Sequence, residues 1–203
     1  MDEVRLPRRE RERLRHRQEI LGAAQKLVLE RGIAGVTVEE VAREADFAVG
    51  SIYRHFRSKE DLVRELVLGL IDGFLVDLDA IISADQPFPA RLLATVSLFY
   101  RSQVERRDLL VALFEAPGPL VAPGSEGAEQ LRAVRRRTHA LVDRLIADGQ
   151  AQGLLQPGER RPLVTALLGL TSAFSRATMF GETPLKGDAP ETIVRLYLGG
   201  AGA

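Results

Sequence analysis

The 203-residue chain contains no cysteine, no tryptophan and no asparagine. Without thiols it can form neither disulfides nor thiolate-held metal sites, although this alone does not fix a compartment. No apolar run approaches the ~20 residues of a membrane span, and no apolar N-terminal segment suggests a signal peptide. A cytoplasmic protein with no membrane partner is therefore expected. Net charge is also missing: basic and acidic residues number 28 each. Nucleic acid would have to be attracted by a local patch, not by the field of the whole molecule. All but three of the basic residues are arginine. Together with the scarcity of thermolabile side chains, this fits either a GC-rich genome or a thermophilic source.

A chain of this length can bury a full core and form one or two domains. No segment shows strand alternation, and helical periodicity runs through most of it. The expected fold is all-α, with about nine helices and no internal repeat.

The most informative stretch is TVEEVAREADFAVGSIYRHFRSKEDL, Thr37 to Leu62. Thr37 followed three residues later by Glu40 is a capping box, marking a helix start. Val38, Val41, Ala42 and Ala45 then give that helix one apolar face. The pattern breaks at Asp46-Phe47-Ala48, and a second short helix carries Val49, Ile52, Tyr53 and Phe56. Two short helices across a tight turn form a helix-turn-helix, whose second helix can enter a DNA major groove. Charge is divided accordingly. The first helix holds Glu39, Glu40 and Glu44, whereas Phe47 to Lys59 contains Arg54, His55, Arg57 and Lys59 and no acid.

The residues Thr37, Val41, Ala42, Ala45, Gly50, Ile52, Tyr53, His55, Phe56, Lys59 and Leu62 keep the spacing T-x-x-x-V-A-x-x-A-x-x-x-x-G-x-I-Y-x-H-F-x-x-K-x-x-L. This resembles the DNA-binding domain of TetR/AcrR-type transcriptional regulators, from about Gln18 to Leu68. The resemblance implies a recognition helix over about Ala48 to His55. Its exposed candidates for DNA contact are Val49, Gly50, Ser51, Tyr53 and Arg54. Gly50 would allow close approach of backbone to DNA. Tyr53, His55 and Lys59 would reach phosphates, and Arg54 is suited to pairing with guanine. Thr37 would set the start of the first helix against a phosphate. Two positions depart from the family pattern. Asp46 stands where many members carry Gly in the turn. Ala48 stands at the recognition-helix cap, where many carry Ser or Thr and gain a phosphate contact.

The remaining chain divides by composition. Residues 1–17 alternate Arg and Glu and hold few aliphatic side chains, which predicts a flexible arm, either solvated or touching DNA. Residues 18–57 form the expected DNA-binding domain, with its first helix beginning near Arg17 and ending at Arg31-Gly32. Residues 58–203 form the expected effector-binding and dimerisation domain. It opens with a long helix from the Ser58 cap to about Ser83. Further helices are expected over 90–105, 108–115, 128–152, 161–180 and 191–198. A Pro/Gly-rich loop at 116–127 separates the third and fourth of these six helices.

Family members couple DNA release to a small ligand, and isolated polar residues on apolar helix faces are where one would be oriented. The polar positions are Gln103, Thr138 and Thr171, and with Phe99, Phe114, Leu141 and Phe174 as apolar lining they imply a small, mostly apolar effector. The same pattern describes a filled core with satisfied hydroxyls. The small residues Ala166, Gly169, Ala173 and Ala177 share a face of the 161–180 helix. With Ile193, Leu196 and Tyr197 they suggest a homodimer interface. Catalysis is disfavoured: His16, His55 and His139 are far apart in sequence, no metal-ligand spacing or phosphate loop appears, and no cofactor is implied. His139 and Asp143, four apart, read as an ordinary helix pair.

The expected function is a ligand-responsive regulator, most simply a repressor, that binds a pseudo-palindromic double-stranded operator as a homodimer. Its two recognition helices would sit about 34–36 Å apart. The alternatives are a regulator controlled by a protein partner, or a helical enzyme or carrier with an incidental helix-turn-helix.

Overall fold

The computed structural model describes residues 7–32, 35–105, 124, 126–181 and 188–202. Among these are eight helices: α1 (Arg8–Arg31), α2 (Val38–Glu44), α3 (Val49–His55), α4 (Lys59–Ser83), α5 (Phe88–Glu105), α6 (Glu126–Ala151), α7 (Arg160–Phe180) and α8 (Ala189–Ala201). The extended pairing recorded among the described residues is one isolated bridge between Leu155 and Gly202. The all-α expectation therefore holds. The helix expected over 108–115, with Phe114, and most of the Pro/Gly loop lie outside the described residues.

Local chemistry accounts for the first boundaries. The Glu40 amide donates to Thr37 Oγ1 at 3.2 Å, and the Thr37 amide donates to Glu40 Oε2 at 3.0 Å, completing the capping box of α2. The Thr37 amide, and then the Thr37 hydroxyl, donate to the Glu40 carboxylate and hold it below its ordinary pKa. Ser58 caps α4 by accepting from the Asp61 amide. At the C-terminus of α1, Gly32 has a φ of 73°, which a side chain would resist.

α1 departs from expectation. It starts at Arg8, well before Arg17, so residues 8–17 are helix and not a flexible arm. Their charges are spaced for it: Arg8 pairs with Glu12 and Arg15 with Glu19, each four residues apart. The segment needs no apolar surface of its own because it continues a helix already nucleated by the core.

Two apolar cores share α4. The first is built from Ile20, Ala24, Leu27 and Val28 of α1, Val38, Val41 and Ala42 of α2, Ile52 and Phe56 around α3, and Leu62 to Leu70 of α4. The second takes over at Leu75, Leu78 and Ile82. It adds Phe88, Leu92 and Val96 of α5, Leu141 to Ile146 of α6, Val164 and Leu167 of α7, and Ile193 and Tyr197 of α8. Ile71 packs against both cores, and Leu131 of α6 reaches the first. The 25-residue α4 thus contributes side chains to both interiors.

Polar ties brace the second core. Arg91 is almost fully buried and donates to the Ile82 carbonyl at 2.7 Å and to Asp148 at 2.9 Å, joining α4, α5 and α6. Arg144 joins α6 to Asp79 and Ser83 of α4. Gly149 has no room for a side chain: an added Cβ would lie 2.6 Å from the buried Phe88 ring. α7 is long and apolar enough to cross a membrane by length and composition only. Instead it lays Val164, Leu167, Thr171 and Ser175 against α5, α6 and α8. Its opposite side is uncovered, so within one chain it is buried on one side only.

Candidate nucleic-acid interface

α3 is held by its inner face. Ile52 and Phe56 are 1% exposed, and Phe47 and Val49 pack against the same core. The turn before it is made by Asp46, at φ 58°. The Asp46 amide donates to Arg43 O at 3.3 Å and the Phe47 amide to Ala42 O at 2.8 Å. This is the paired ending of a Schellman motif, with aspartate where glycine is usual. Left-handed backbone at a non-glycine residue costs on the order of 1 kcal/mol, less for aspartate than for most residues. The Ala48 cap makes no side-chain hydrogen bond, and Asp46 does not replace it. The first turn of α3 is thus held by the Ser51 amide donating to the Ala48 carbonyl at 2.7 Å and by packing, without a side-chain cap.

The outer face of α3 presents Gly50, Tyr53 and Arg54 to solvent, with Tyr53 half exposed, while Val49, Ser51 and His55 are partly covered. A Cβ built on Gly50 would meet nothing within 4 Å. Nothing inside the chain therefore requires glycine at Gly50. Arg54 Nη2 donates to Ser51 Oγ at 2.6 Å, which orients the guanidinium along the exposed face. Thr37 and Lys59, distant in sequence, line one crevice between α1, α2 and α4. That crevice, about 20 Å³, admits one water at most and cannot be an effector site. The nine DNA-contact candidates thus occupy α3 and the starts of α2 and α4.

One residue of this region escaped sequence reading in its present role. Arg17, counted with the arm, donates through Nη1 to the His55 carbonyl at 2.6 Å and pairs through Nη2 with Glu65 of α4 at 3.0 Å. Its guanidinium carbon also sits 4.4 Å from the Phe56 ring centroid. A single side chain therefore binds the C-terminal end of α3 to α1 and α4. Only the tertiary fold brings these partners together, so no sequence signal marked it. His16 and His55, also distant in sequence, have ring centroids 6.2 Å apart. Burial, followed by the charges of His16, Arg17, Arg54 and Arg13, lowers the His55 pKa. Among the described residues no group of three or more metal-ligating side chains converges.

In the second core, Phe99 meets Phe74 edge-on at 4.9 Å, and Phe174 and Leu141 belong to the same cluster. Gln103 lies on the helix turn after Phe99, and Thr138 is half buried on α6. Thr171 is buried, but its hydroxyl donates to the Leu167 carbonyl at 2.8 Å, satisfying itself within α7. Three buried polar atoms among the described residues are not satisfied: Thr95 Oγ1, fully buried on α5, Arg91 Nε on the same helix, and Gln130 Oε1 on α6 have no hydrogen-bond partner. A threonine between apolar neighbours gives no outward sign of this. His139 has no pairing with Asp143, whose carboxylate accepts instead from Arg160 at 2.9 Å.

The dimer candidates divide. Ala166, Gly169 and Ala173 are exposed, Ala177 is partly so, and Leu196 is half exposed. Ile193 and Tyr197 are corrected: both are buried inside the chain, and the Tyr197 hydroxyl donates to the Leu163 carbonyl. Burial lifts that phenol's pKa to about 12. Successive apolar residues on α8 point to different sides, so only Leu196 of the three offers surface to a neighbour.

Residues 20–66 match the family described as "Bacterial regulatory proteins, tetR family". Residues 20–66 thus carry a DNA-binding domain of the TetR type. Over 99 residues the chain is 32% identical to the transcriptional repressor KstR2 of Rhodococcus jostii, covering 49% of this chain and 48% of that protein. The chain thus aligns with about half, or less, of the length of the KstR2 relatives it matches. A TetR-family regulator from Vibrio parahaemolyticus has the same fold over 92% of this chain and 98% of its own, with a TM-score of 0.64 and 25% identity. The regulator FadR of Bacillus subtilis, solved in complex with stearoyl-CoA, covers 90% of this chain and 98% of its own, with a TM-score of 0.65 and 18% identity.

Proposed function

We propose that this protein is a homodimeric transcriptional repressor whose α3 reads a pseudo-palindromic operator and whose second core senses a small, mostly apolar effector. The observation that carries the reading is the open face around Gly50. A glycine inside a helix weakens it by about 1 kcal/mol relative to alanine, and no neighbour within the chain requires it. Such a residue is expected where another molecule's surface must come close. In this reading Thr37, Tyr53, His55 and Lys59 meet phosphates, and Arg54, with Val49 and Ser51 beside it, reads bases. The exposed small residues of α7, with Leu196, cover the same surface of a second copy. Residues 18–57 serve as reader and 58–203 as receiver.

The effector class is supported by a receiver core that is aliphatic and aromatic, with Thr95 Oγ1 as a buried hydroxyl without a partner. A neutral or weakly polar ligand suits that lining. An acyl chain such as the one named for the Bacillus subtilis relative is one such chemistry. Control by a protein partner instead draws support from Thr171 and Ser175, whose hydroxyls are satisfied within α7. Mass spectrometry of small molecules carried by the purified protein separates the two readings.

The DNA reading is tested by Gly50→Ala. The variant should be at least as heat-stable as wild type and yet bind DNA from upstream of its own coding sequence at least tenfold more weakly. Unchanged binding, or the absence of any sequence-dependent shift with the wild type, would sink the reading.

A further inference from the structure

One face of α1 changes character along its length. From Ile20 onward it is apolar and buried, through Ile20, Ala24 and Leu27. At 3.6 residues per turn, the same face continues N-terminally through Arg17, His16, Arg13 and Arg9. The first two are engaged at the recognition helix: Arg17 at the His55 carbonyl, and His16 edge-on to Phe47 at 5.2 Å and near His55. Arg13 and Arg9 lie one and two turns further out, both exposed, and among the described residues neither forms an ion pair. Arg13 is close enough to His55 to contribute to the lowering of its pKa. Arg8, Arg11 and Arg15 occupy the opposite face, where Glu12 and Glu19 pair with the outer two. Glu10 stands at the edge of the inward face.

The overhanging arginines extend about 12 Å beyond Arg17 along the helix axis, at 1.5 Å per residue. They are continuous with the end of α3 that carries Arg54 and His55. A guanidinium is suited to forked pairing with phosphate oxygens. We propose that Arg9 and Arg13 form a second DNA-contacting surface, a rigid continuation of α1 that holds phosphates flanking the base pairs under α3. This rests on the DNA-binding reading and adds a distinct element to it. The partner is double-stranded DNA, recognised by its backbone and not by its bases.

The test compares two double variants of the full chain that remove the same charge from opposite faces. Fluorescence anisotropy on a random-sequence duplex of about 40 base pairs, at a series of salt concentrations, isolates the phosphate contribution. Arg9→Ala/Arg13→Ala should bind about tenfold more weakly. Its salt dependence should be shallower by about 0.9 for each phosphate that is no longer neutralised. Arg11→Ala/Arg15→Ala should keep the wild-type slope, with circular dichroism confirming helix in both variants. Equal weakening of the two variants would show general attraction with no directed face, and an unchanged Arg9/Arg13 variant would show that these side chains do not touch the duplex; either overturns the proposal. If the wild type itself shows no salt-sensitive binding that Lys59→Ala weakens, the underlying DNA reading fails as well, and that outcome is distinguishable from the other two.

Discussion

The two cores of this chain solve opposite problems. The N-terminal one drives nearly every apolar side chain inward, so that the surface of α3 remains free for another molecule. Its specific chemistry is outside, at Gly50, Tyr53 and Arg54. The C-terminal core is of similar size, and a hydroxyl without a partner, Thr95 Oγ1, is buried within it. A reader must be stiff and present side chains; a receiver must leave something unsatisfied within. α4 contributes Leu62 to Leu70 to one and Leu75 to Ile82 to the other, so a loss of packing in either core reaches the shared helix.

The largest effects should come from removing the central aromatic ring of each core. Phe56→Ala and Phe88→Ala should each cost about 3–5 kcal/mol. Because α4 is common to both cores, each should lower a single thermal transition followed by circular dichroism. Two separate transitions would break the picture of a shared helix.

Next in size is the link at Arg17. Arg17→Ala removes a charged hydrogen bond to the His55 carbonyl and a partly buried pair with Glu65, a loss of about 1.5–3 kcal/mol. DNA affinity should fall with it, and Arg17→Lys should restore only part, since lysine lacks the planar fork. A double-mutant cycle with Glu65→Gln that shows no coupling would remove Arg17 as the connection between α3 and α4.

Smaller gains are expected at the turn. Ala48→Ser should add the missing cap and about 1 kcal/mol to stability. Asp46→Gly should relieve left-handed strain, partly offset by a more flexible unfolded chain. Both are read from the urea midpoint, and a loss in either would mean the turn is not strained as its φ indicates.

The smallest effect is that of pH. His55 has a lowered pKa in the folded chain, so as pH falls through the ordinary imidazole value near 6.5 the unfolded state takes up the proton first. Its contribution to stability is therefore present above that value and lost on acidification, until the folded-state pKa is reached. His55→Gln should flatten the stability profile between about pH 7 and 5.5. An unaltered profile would show that the burial of this ring is not felt energetically.

Much of the reader could be seen in the sequence because its signals are local. Thr37 with Glu40, Ser58 with Asp61, and the acid-free run after Phe47 each act within a few residues. The start of α1 was hidden for the opposite reason. Its Arg/Glu stretch lacks apolar residues, but a helix already anchored by Ile20 and Ala24 can be extended by pairs four residues apart. On α8, sequence could mark Ile193, Leu196 and Tyr197 as apolar, but not which of them the chain would use itself.

By itself the sequence determined the helical class, the capped helix-turn-helix and its TetR type, because periodicity, caps and charge signs act over short range. Tertiary structure alone decided that Arg17 fastens the recognition helix, that Thr95 is left without a partner, and that Arg13 comes near His55 with Arg9 one turn further out. Each depends on which surfaces meet across many residues of chain, and the pairing of surfaces is settled by packing, not by neighbours in sequence.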